Sequence, residues 1–482
     1  MHHQATTLKP PTPFPHHYHP SPPSPSRLLL PISHPLQPNT RPCSPLSCRG
    51  IHIPALKHPP HSLASSNTVL QDRNPAAVKT IDVATLGNLC VDIVLDVPEL
   101  PPPSREARKA YMEQLSASPP DKKYWEAGGN CNVAIAAARL GLNCVVIGHV
   151  GNEIYGKFLQ DVLRDEGIGV VEMSEETDFT TGSSGSYETL LCWVLVDPLH
   201  RHGFCSRFDF SEGPAFSWMS KLSDQVKKAI KQSRIIFCNG YDFDEFSPNV
   251  LVSSVEYAVE VGTSVFFDPG PRGKSLLTGT PQEQKALSHL LRMSDVLLLT
   301  SDEAASLTGI GNPTLAGQEL LRRGVRTKWV IVKMGPKGSL LITTSSVTCA
   351  PAFQVKVIDT VGCGDSFVAA VAFGFIHDIP LISTLAIANA VGAATAMGSG
   401  AGRNVATLKQ VIELIKAPNL NEDDEFWNKL LSEHFNIQEI TFLKKVVING
   451  SNNRMNLIAL QRVVSDLLPK LESVQLEGNV SS

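Results

Sequence analysis

The chain has 482 residues, 42 Lys and Arg against 46 Asp and Glu, and 42% hydrophobic residues, a composition typical of a globular enzyme. These values exclude a mostly disordered or collagen-like chain, and the net charge of −4 argues against nucleic-acid binding through a basic surface. Because the apolar runs are much shorter than the ~20 residues that a membrane span needs, we expect no transmembrane helix. The 10 cysteines have no paired CxxC spacing, which favours reduced thiols over a zinc site or a disulfide framework.

Residues 1–71 differ from the rest of the chain in composition. This segment contains no Asp or Glu, since the first acid is Asp72, and it is rich in Pro, Ser and His. Acid-free N-termini of this kind are typical of organelle transit peptides, and the Pro content favours a plastid because it opposes the amphipathic helix of a mitochondrial signal. The sequence therefore predicts a disordered transit peptide and a location in the chloroplast stroma. A Pro-rich interaction tail is the alternative.

Between residues 80 and 416, short β-branched runs alternate with helical segments such as the Ala-rich stretch 132–140. Strands separated by helices imply right-handed crossovers and a mainly parallel sheet covered on both faces, so the sequence predicts a layered α/β/α domain. The predicted strands are Ile81–Leu86, Cys144–Ile147, Arg234–Cys238, Ser264–Phe267, Val296–Leu299 and Trp329–Lys333.

Two segments interrupt this alternation and are predicted to form a small β lid. Residues 97–125 are polar and Pro-rich, and residues 180–212 have the pattern of a hairpin with a turn near Asp197-Pro198. Ligands of open α/β sheets bind outside the carboxyl ends of the strands, so we expect the lid to cover a site there.

Residues 417–482 lose the glycine punctuation of the body and become charged and Asn-rich. Two amphipathic patterns, Glu425–His434 and Leu457–Leu471, predict helices. We expect a helical, partly disordered C-terminal extension without a chemical role.

The sharpest motif is Asp359-Thr360-Val361-Gly362-Cys363-Gly364-Asp365, between a predicted strand (Gln354–Ile358) and a long apolar helix. Gly362 and Gly364 let the backbone approach a ligand closely, and the N–H groups at the helix start form an anion site with the helix dipole. A carboxylate next to that site can accept the proton of a hydroxyl that attacks a bound phosphate. The alternative is that Asp365 only caps the helix.

This string resembles the C-terminal signature of the pfkB (ribokinase-like) sugar and nucleoside kinases. The stretch Gly128-Gly129-Asn130-Cys131-Asn132-Val133-Ala134 is similar to the N-terminal signature of that family. The two signatures stand in the family's order, and the resemblance covers roughly residues 80–405. It implies a ribokinase-like fold and transfer of the γ-phosphate of ATP to a primary hydroxyl of a small sugar or nucleoside.

The resemblance also implies roles for single residues. Asp365 matches the catalytic base of the family. The positions that match its anion hole are Gly362, Cys363 and Gly364. Those that match its substrate site are Asp92, Gly129 and Asn132, and the Asp92 carboxylate can accept hydrogen bonds from two hydroxyls.

The nucleotide and its ions have matching positions too. Those that match the nucleotide site are Lys333, Gly335, Gly338 and Asn389. Glu303 matches the residue that holds Mg²⁺ through ordered water. Asp359 matches a carboxylate beside which many members bind a monovalent cation, so K⁺ is implied there.

Four positions depart from the family pattern. Cys90 replaces a sugar-contacting polar residue, which argues against ribose, and Asn130 replaces a small residue. Thr300 replaces the Asn of the metal element. Cys363 replaces a small apolar residue, and we interpret it as a filler rather than as a redox-sensitive thiol.

Two further groups of side chains allow a functional and a structural interpretation. Asp268 and Arg272 follow a predicted buried strand, and they either meet substrate or phosphate or belong to an ordinary surface turn. His200, His202 and Cys205 have metal-ligating side chains but no defined ligand spacing, so we interpret them as a hairpin tip.

A function of a different class stays open. Some plastid relatives in this family serve as partners of the plastid gene-expression machinery, so the alternative is a weakly active or non-catalytic partner that docks through 97–125 or its C-terminal segment. An NAD-dependent dehydrogenase is disfavoured because no Gly-x-Gly-x-x-Gly follows the first strand. Both a monomer and a homodimer through the lid are compatible with the sequence. The phosphate acceptor is not specified.

Overall fold

The structure is a computed structural model that describes residues 78–481, with gaps at 103, 119, 174–187, 200, 212, 217–218, 433–438 and 448–454. The predicted transit peptide, the first part of the predicted lid segment 180–212 and His200 lie outside the described residues. Over the described ranges, none of the helices combines the length and the apolar character that a membrane span requires.

The strands of this part of the chain form two sheets. In chain order they are Ile81–Leu86 (β1), Leu89–Asp96 (β2), Trp125–Gly129 (β3), Cys144–Gly148 (β4), Gly169–Glu172 (β5), Leu190–Val196 (β6), His202–Ser206 (β7), Ser233–Asn239 (β8), Ser264–Asp268 (β9), Val296–Thr300 (β10), Trp329–Lys333 (β11), Ser339–Ile342 (β12), Ser346–Ala350 (β13), Glu439–Lys444 (β14) and Met455–Ala459 (β15).

The α-helices alternate with these strands through most of the chain. They are Arg105–Ser116 (α1), Asn130–Arg139 (α2), Ile154–Asp165 (α3), Asp224–Gln232 (α4), Asp242–Glu245 (α5), Pro248–Glu260 (α6), Arg272–Leu276 (α7), Pro281–Met293 (α8), Ser301–Thr308 (α9), Pro313–Arg323 (α10), Cys363–Ile376 (α11), Leu381–Thr395 (α12), Leu408–Lys416 (α13), Asp424–Leu431 (α14) and Leu460–Ser481 (α15).

The main sheet has the strand order β15-β14-β13-β12-β11-β10-β9-β8-β1-β4-β5. All neighbouring strands in it are parallel except β12, which is antiparallel to both β11 and β13. This confirms the predicted mainly parallel sheet, and each of the six predicted strands is present with ends shifted by at most one residue. The carboxyl ends of β1, β8, β9, β10 and β11 lie side by side, which creates the edge where a ligand site is expected.

Two apolar layers cover the faces of the main sheet. Alternate residues of each strand point to opposite layers, as Val83 and Ala84 do in β1. One layer packs against α2, α11 and α12 and the other against α6, α8 and α10. Helix α11 is apolar all round because it is sandwiched between α2, α12 and the sheet.

The lid is a second sheet of four strands in the order β3-β2-β6-β7. Strands β6 and β7 are the predicted hairpin, paired antiparallel from Cys192 with Ser206 to Val196 with His202. The lid differs from the prediction because β2, which contains Asp92, and β3, which ends in Gly128 and Gly129 of the N-terminal signature, are lid strands. Residues 97–125 contribute mainly α1, which binds the hairpin through Arg108 and Asp209.

The C-terminal segment differs from the predicted helical extension. Strands β14 and β15 continue the main sheet in parallel beyond β13, and α14 and α15 cover them. The predicted helix Leu457–Leu471 begins only at Leu460, since the residues before it form β15. Trp427 and Phe442 are almost fully buried, with ring centroids 5.0 Å apart. The described strands and helices after residue 416 therefore contribute side chains to the core.

The predicted strand Gln354–Ile358 is absent. The backbone N–H of Gln354 donates to the carbonyl of Asn419, and that of Ile358 donates to the carbonyl of Ala396. These bonds tie the segment to loops rather than to a neighbouring strand, and Val357 and Ile358 are exposed. A β-branched run thus forms an extended connection here.

Candidate active site

A cavity of about 330 Å³ lies between the carboxyl ends of the central strands and the lid sheet. Asp92, Gly129 and Asn132 line it from the lid and α2, and Gly362 and Asp365 line it from the start of α11. The two signatures of the sequence, more than 200 residues apart, thus meet in one cavity.

Asp365 lies in the first turn of α11. The N-cap of this helix is Gly362, and the Oδ2 atom of Asp365 accepts a hydrogen bond of 3.1 Å from the Nδ2 atom of Asn132. Asp365 is therefore not a helix cap, because its carboxylate points to another helix across the cavity. Burial raises the pKa of Asp365 to about 6, against the opposing effects of Asn132 and Lys333.

The anion loop, residues 360–364, precedes and begins α11. Gly362 has a φ of 76°, and a Cβ atom there would lie 2.8 Å from the Cβ of Ala401, so the turn requires glycine. The N–H of Cys363 donates to the carbonyl of Thr360 at 3.3 Å, whereas the N–H groups of Gly362 and Gly364 have no backbone acceptor among the described residues. These two amides are left to bind an anion.

The surroundings of Cys363 favour a structural role for its side chain over a chemical one. Burial raises the pKa of its thiol to about 12, with Asp359 and Asp365 adding to the effect. A thiol with so high a pKa is a poor nucleophile. This supports its interpretation as a filler rather than as a redox site.

Asp92 lies within lid strand β2. The thiol of Cys90 donates a hydrogen bond of 3.4 Å to Oδ1 of Asp92. A Cβ atom on Gly128 would come within 2.1 Å of the Asp92 carboxylate, so the glycine leaves the room that this carboxylate fills. Burial raises the pKa of Asp92 to about 7. Cys90, a departure from the family pattern, supports the substrate-site carboxylate.

Asn132 and Asn130 position the wall formed by α2. The Oδ1 atom of Asn132 accepts from the N–H of Gly402 at 2.8 Å, which fixes the amide that binds Asp365. The side chain of Asn130 donates to the carbonyl groups of Leu86 and Gly87 and accepts from Asn239 at 2.6 Å. Asn130, which also departs from the family pattern, thus joins the carboxyl ends of β1 and β8 beside the cavity.

Lys333, Asp268 and Glu303 form a charged group at the ends of β11, β9 and β10. The Nζ atom of Lys333 lies 2.6 Å from Oδ2 of Asp268, and both side chains are mostly buried. Burial alone would lower the pKa of Lys333, but Asp268 and Glu303 raise it, so the amine stays charged. Burial and Asp268 raise the pKa of Glu303.

Thr300 has a structural role where the family pattern has an Asn. Its side chain and that of Glu303 form a capping box at the start of α9, in which the N–H of Thr300 donates to Oε2 of Glu303 at 2.7 Å. The box holds Glu303 at the cavity wall.

A second charged group lines the cavity around Arg272, for which the sequence left a substrate or phosphate contact and an ordinary surface turn open. Arg272 pairs with Asp244 at 2.7 Å and with Asp209 at 3.2 Å, and its guanidinium lies over the ring of Tyr241. Asp209 follows lid strand β7 and also pairs with Arg108 of α1. Arg272 is therefore a cavity residue that ties the lid to the main domain. The only signal was the position of Arg272 after a predicted strand.

Other candidate residues lie away from the cavity. Gly335 and Gly338 form the turn after β11, and neither is among the described residues that line the cavity. The side chain of Asn389 is buried; it donates to the carbonyl groups of Ala350 and Pro351 and accepts from Ser339. All the polar atoms of this amide are thus used in holding α12 to the sheet.

Asp359 contacts one of the predicted hairpin-tip residues, His202, outside the cavity. Nε2 of His202 lies 2.6 Å from Oδ1 of Asp359, whereas Cys205 is buried against Arg108. In the part of the chain that the structure describes, no group of three or more His, Cys, Asp or Glu side chains is arranged to hold a metal ion.

The chain is similar in sequence to curated plant proteins. Fructokinase-1 of Zea mays is 26% identical over 300 residues, which are 60% of this chain and 88% of the fructokinase. The chloroplastic probable fructokinase-6 of Arabidopsis thaliana is 25% identical over 391 residues, 78% of this chain and 94% of that protein.

Among solved structures, a putative ribokinase II from E. coli in complex with ATP and Mg²⁺ has a TM-score of 0.54 and 19% identity. The similarity covers 70% of this chain and 99% of that one, and it shows a ribokinase-like fold. Residues 81–408 match the family described as pfkB family carbohydrate kinase. The chain therefore belongs to the pfkB family of carbohydrate kinases.

Proposed function

We propose that this protein transfers the γ-phosphate of ATP to a primary hydroxyl of a small sugar or nucleoside. The observation that carries the proposal is the position of Asp365. Its carboxylate lies on the cavity wall beside the unbonded amides of Gly362 and Gly364 and faces the signature residue Asn132. A base and an anion site thus stand next to each other where an alcohol and a phosphate can meet.

The acceptor would lie between the lid and α2. Asp92 accepts hydrogen bonds from its hydroxyls, and Asn132 lies beside the hydroxyl that reacts. Asp365 takes the proton of that hydroxyl as its oxygen forms a bond to the γ-phosphorus and the bond to the departing ADP breaks. The amides of Gly362 and Gly364 stabilise the charge on the transferred group.

Lys333 and the turn after β11 are the proposed nucleotide side of the site. The Lys333 amine lines the cavity and would come within 3.7 Å of a Cβ atom on Gly364, so its charge lies close to the anion loop. Gly335 and Gly338 would form the adjoining surface. For Asn389 we propose a supporting role, because its side chain holds the backbone of Ala350 and Pro351.

The carboxylates at the ends of β9 and β10 fit a magnesium ion. Glu303 and Asp268 both line the cavity. The Oε2 atom of Glu303 accepts from the N–H of Thr300, whereas its Oε1 atom does not take part in that bond. Carboxylate oxygens suit Mg²⁺, which keeps several waters when it binds nucleotides. Bound there, the ion would neutralise phosphate charge. Glu303 would hold it through water.

The plastid location also remains a proposal. It rests on the acid-free composition of residues 1–71 and on the similarity to a chloroplastic fructokinase of Arabidopsis thaliana.

The test is to incubate the purified protein with labelled ATP, Mg²⁺ and a panel of sugars and nucleosides and to look for phosphorylated product. With the accepted substrate, Asp365→Asn is expected to lower kcat by ~10²–10⁴-fold with ATP affinity nearly unchanged, since the base is lost and the amides remain. Asp161→Asn, a change at an exposed carboxylate of α3, is the control.

Equal kcat for Asp365→Asn and the wild type would remove Asp365 from the role of base. A normal stabilisation by ATP with no product from any acceptor would favour the non-catalytic partner instead.

A further inference from the structure

Asp359 immediately precedes the anion loop, and its carboxylate makes three hydrogen bonds. Its Oδ1 atom accepts from the N–H of Val361 at 3.0 Å and from Nε2 of His202 at 2.6 Å. Its Oδ2 atom accepts from the N–H of Gly400 at 2.7 Å. These bonds hold the start of the anion loop to the loop that contains Gly400.

The contact with His202 is a connection between the lid and the main domain. His202 is the first residue of lid strand β7, and its side chain is 13% exposed while that of Asp359 is 5% exposed. Beside it, Val194 of the lid packs with Val361 and Ala401 in a small apolar cluster. The lid thus contacts the start of the anion loop through His202 and Val194.

The direction of the hydrogen bond follows from the charge of the carboxylate. Both of its oxygens accept hydrogen bonds from backbone N–H groups, those of Val361 and Gly400. An ionised carboxylate can only accept. Nε2 of His202 therefore carries the hydrogen.

This arrangement does not fit a monovalent cation beside Asp359. An oxygen of a carboxylate has about two acceptor sites, and both sites of Oδ1 are used by Val361 and His202. A hard cation needs several oxygen ligands, whereas the groups that face this carboxylate are three N–H donors. A cation that binds Oδ1 would have to displace the imidazole.

We propose that His202 is a positioning residue that takes the place of the monovalent cation at Asp359 and so couples the lid to the anion loop. It acts through Asp359 and does not touch the reacting atoms. As a consequence the enzyme needs no K⁺, and the anion loop is ordered when His202 of strand β7 contacts Asp359. The inference rests on the proposed kinase function only for its turnover measurement.

The experiment compares thermal unfolding and turnover in KCl and in choline chloride at equal ionic strength. The proteins are the wild type, His202→Ala, His202→Gln and His289→Gln. His202→Gln keeps an N–H donor at a similar reach, and His289→Gln removes an imidazole that pairs with Glu256 on helices away from the cavity.

For the wild type and for His289→Gln, we expect the Tm and kcat in KCl to equal those in choline chloride. His202→Ala is expected to lose about 2 °C in Tm and about tenfold in kcat in choline chloride, because a charge-assisted hydrogen bond is lost. KCl should restore part of both losses, since the freed Oδ1 atom and water in the space left by the imidazole can coordinate K⁺. His202→Gln should stay close to the wild type.

Two results would overturn the inference. One is a K⁺-specific rise in the Tm or kcat of the wild type. The other is a His202→Ala protein that equals His289→Gln in both salts. If His202→Ala does not fold, the wild type and His202→Gln decide by the first criterion. If no acceptor is phosphorylated, the kinase proposal fails separately, and the Tm comparison still decides the role of His202.

Discussion

Two buried carboxyl groups with raised pKa values face the same cavity. Asp92 belongs to the lid and Asp365 to the main domain, and burial is the main cause of the raised pKa of each. Water exclusion favours the protonated form of an acid. A base with a pKa near the working pH is also the most effective one. With the roles proposed for Asp92 and Asp365, substrate binding and catalysis depend on the same pH range.

The acidic limb of the pH profile follows from these values. Asp365 must be ionised to accept a proton and Asp92 to accept two hydrogen bonds, so kcat/KM should rise with pH and be lost on acidification. With pKa values of about 7 for Asp92 and about 6 for Asp365 in the free enzyme, we expect a decline below pH 7 that steepens below pH 6. Measuring kcat/KM from pH 5 to 9 tests this.

Asp92→Asn supplies the control for this profile. It should retain weak activity. Its kcat/KM should fall on acidification through the protonation of a single group, because only Asp365 still titrates. A wild-type profile that stays flat down to pH 5 would contradict the assignment of both carboxyl groups.

The sequence identified the residues of the site that lie in motifs, because glycine spacing and a following carboxylate have a physical meaning along the chain. It could not identify Asp209 or Asp244, whose importance depends on Arg272 lying between them in space. Nor could it show that the amide of Asn389 is fully used by backbone groups. Long-range pairing of single polar residues has no local signal.

At the scale of elements, alternation predicted the main sheet well because buried parallel strands have continuous apolar runs. It failed for Gln354–Ile358, where the same residue types form an extended connection. It also failed at Met455–Ala459, where a strand and the following helix read as one amphipathic pattern. Composition alone does not distinguish these cases.

The contact between α11 and α12 depends on Gly374. A Cβ atom there would lie 2.5 Å from the side chain of Thr384, which is itself buried and bonded to the carbonyl of Ile379. Gly374→Ala should lower the free energy of unfolding by about 1–3 kcal/mol, because the two helices must move apart. Urea denaturation measures the change.

Gly311→Ala is the matched control for Gly374→Ala. A Cβ atom on Gly311 has nothing within 4 Å and the backbone φ is not positive, so the substitution should leave the stability near that of the wild type. Equal stabilities of the two variants would show that α11 and α12 adjust without cost.

At the scale of the whole molecule, the C-terminal segment is a structural part of the domain. Leu471 of α15 is fully buried in the core layer that also contains α11 and α12, whereas Leu476 of the same helix is 67% exposed. Leu471→Ala should cost about 2–5 kcal/mol of stability, from lost burial and an unfilled cavity. Leu476→Ala should cost almost nothing, and denaturant titrations of both compare them directly. Similar stabilities of the two variants would indicate that this segment is an appendage and not part of the core.

The pairing of β13 with β14 has a consequence for how the protein is made. Strand β13 ends at Ala350 and its partner begins at Glu439. At ~5–20 residues per second of translation, a nascent chain carries β13 without this neighbour for on the order of ten seconds. Until then the hydrogen-bonding groups on one side of the strand are open to other chains. During this interval, two nascent chains on adjacent ribosomes would associate most readily through this open strand edge.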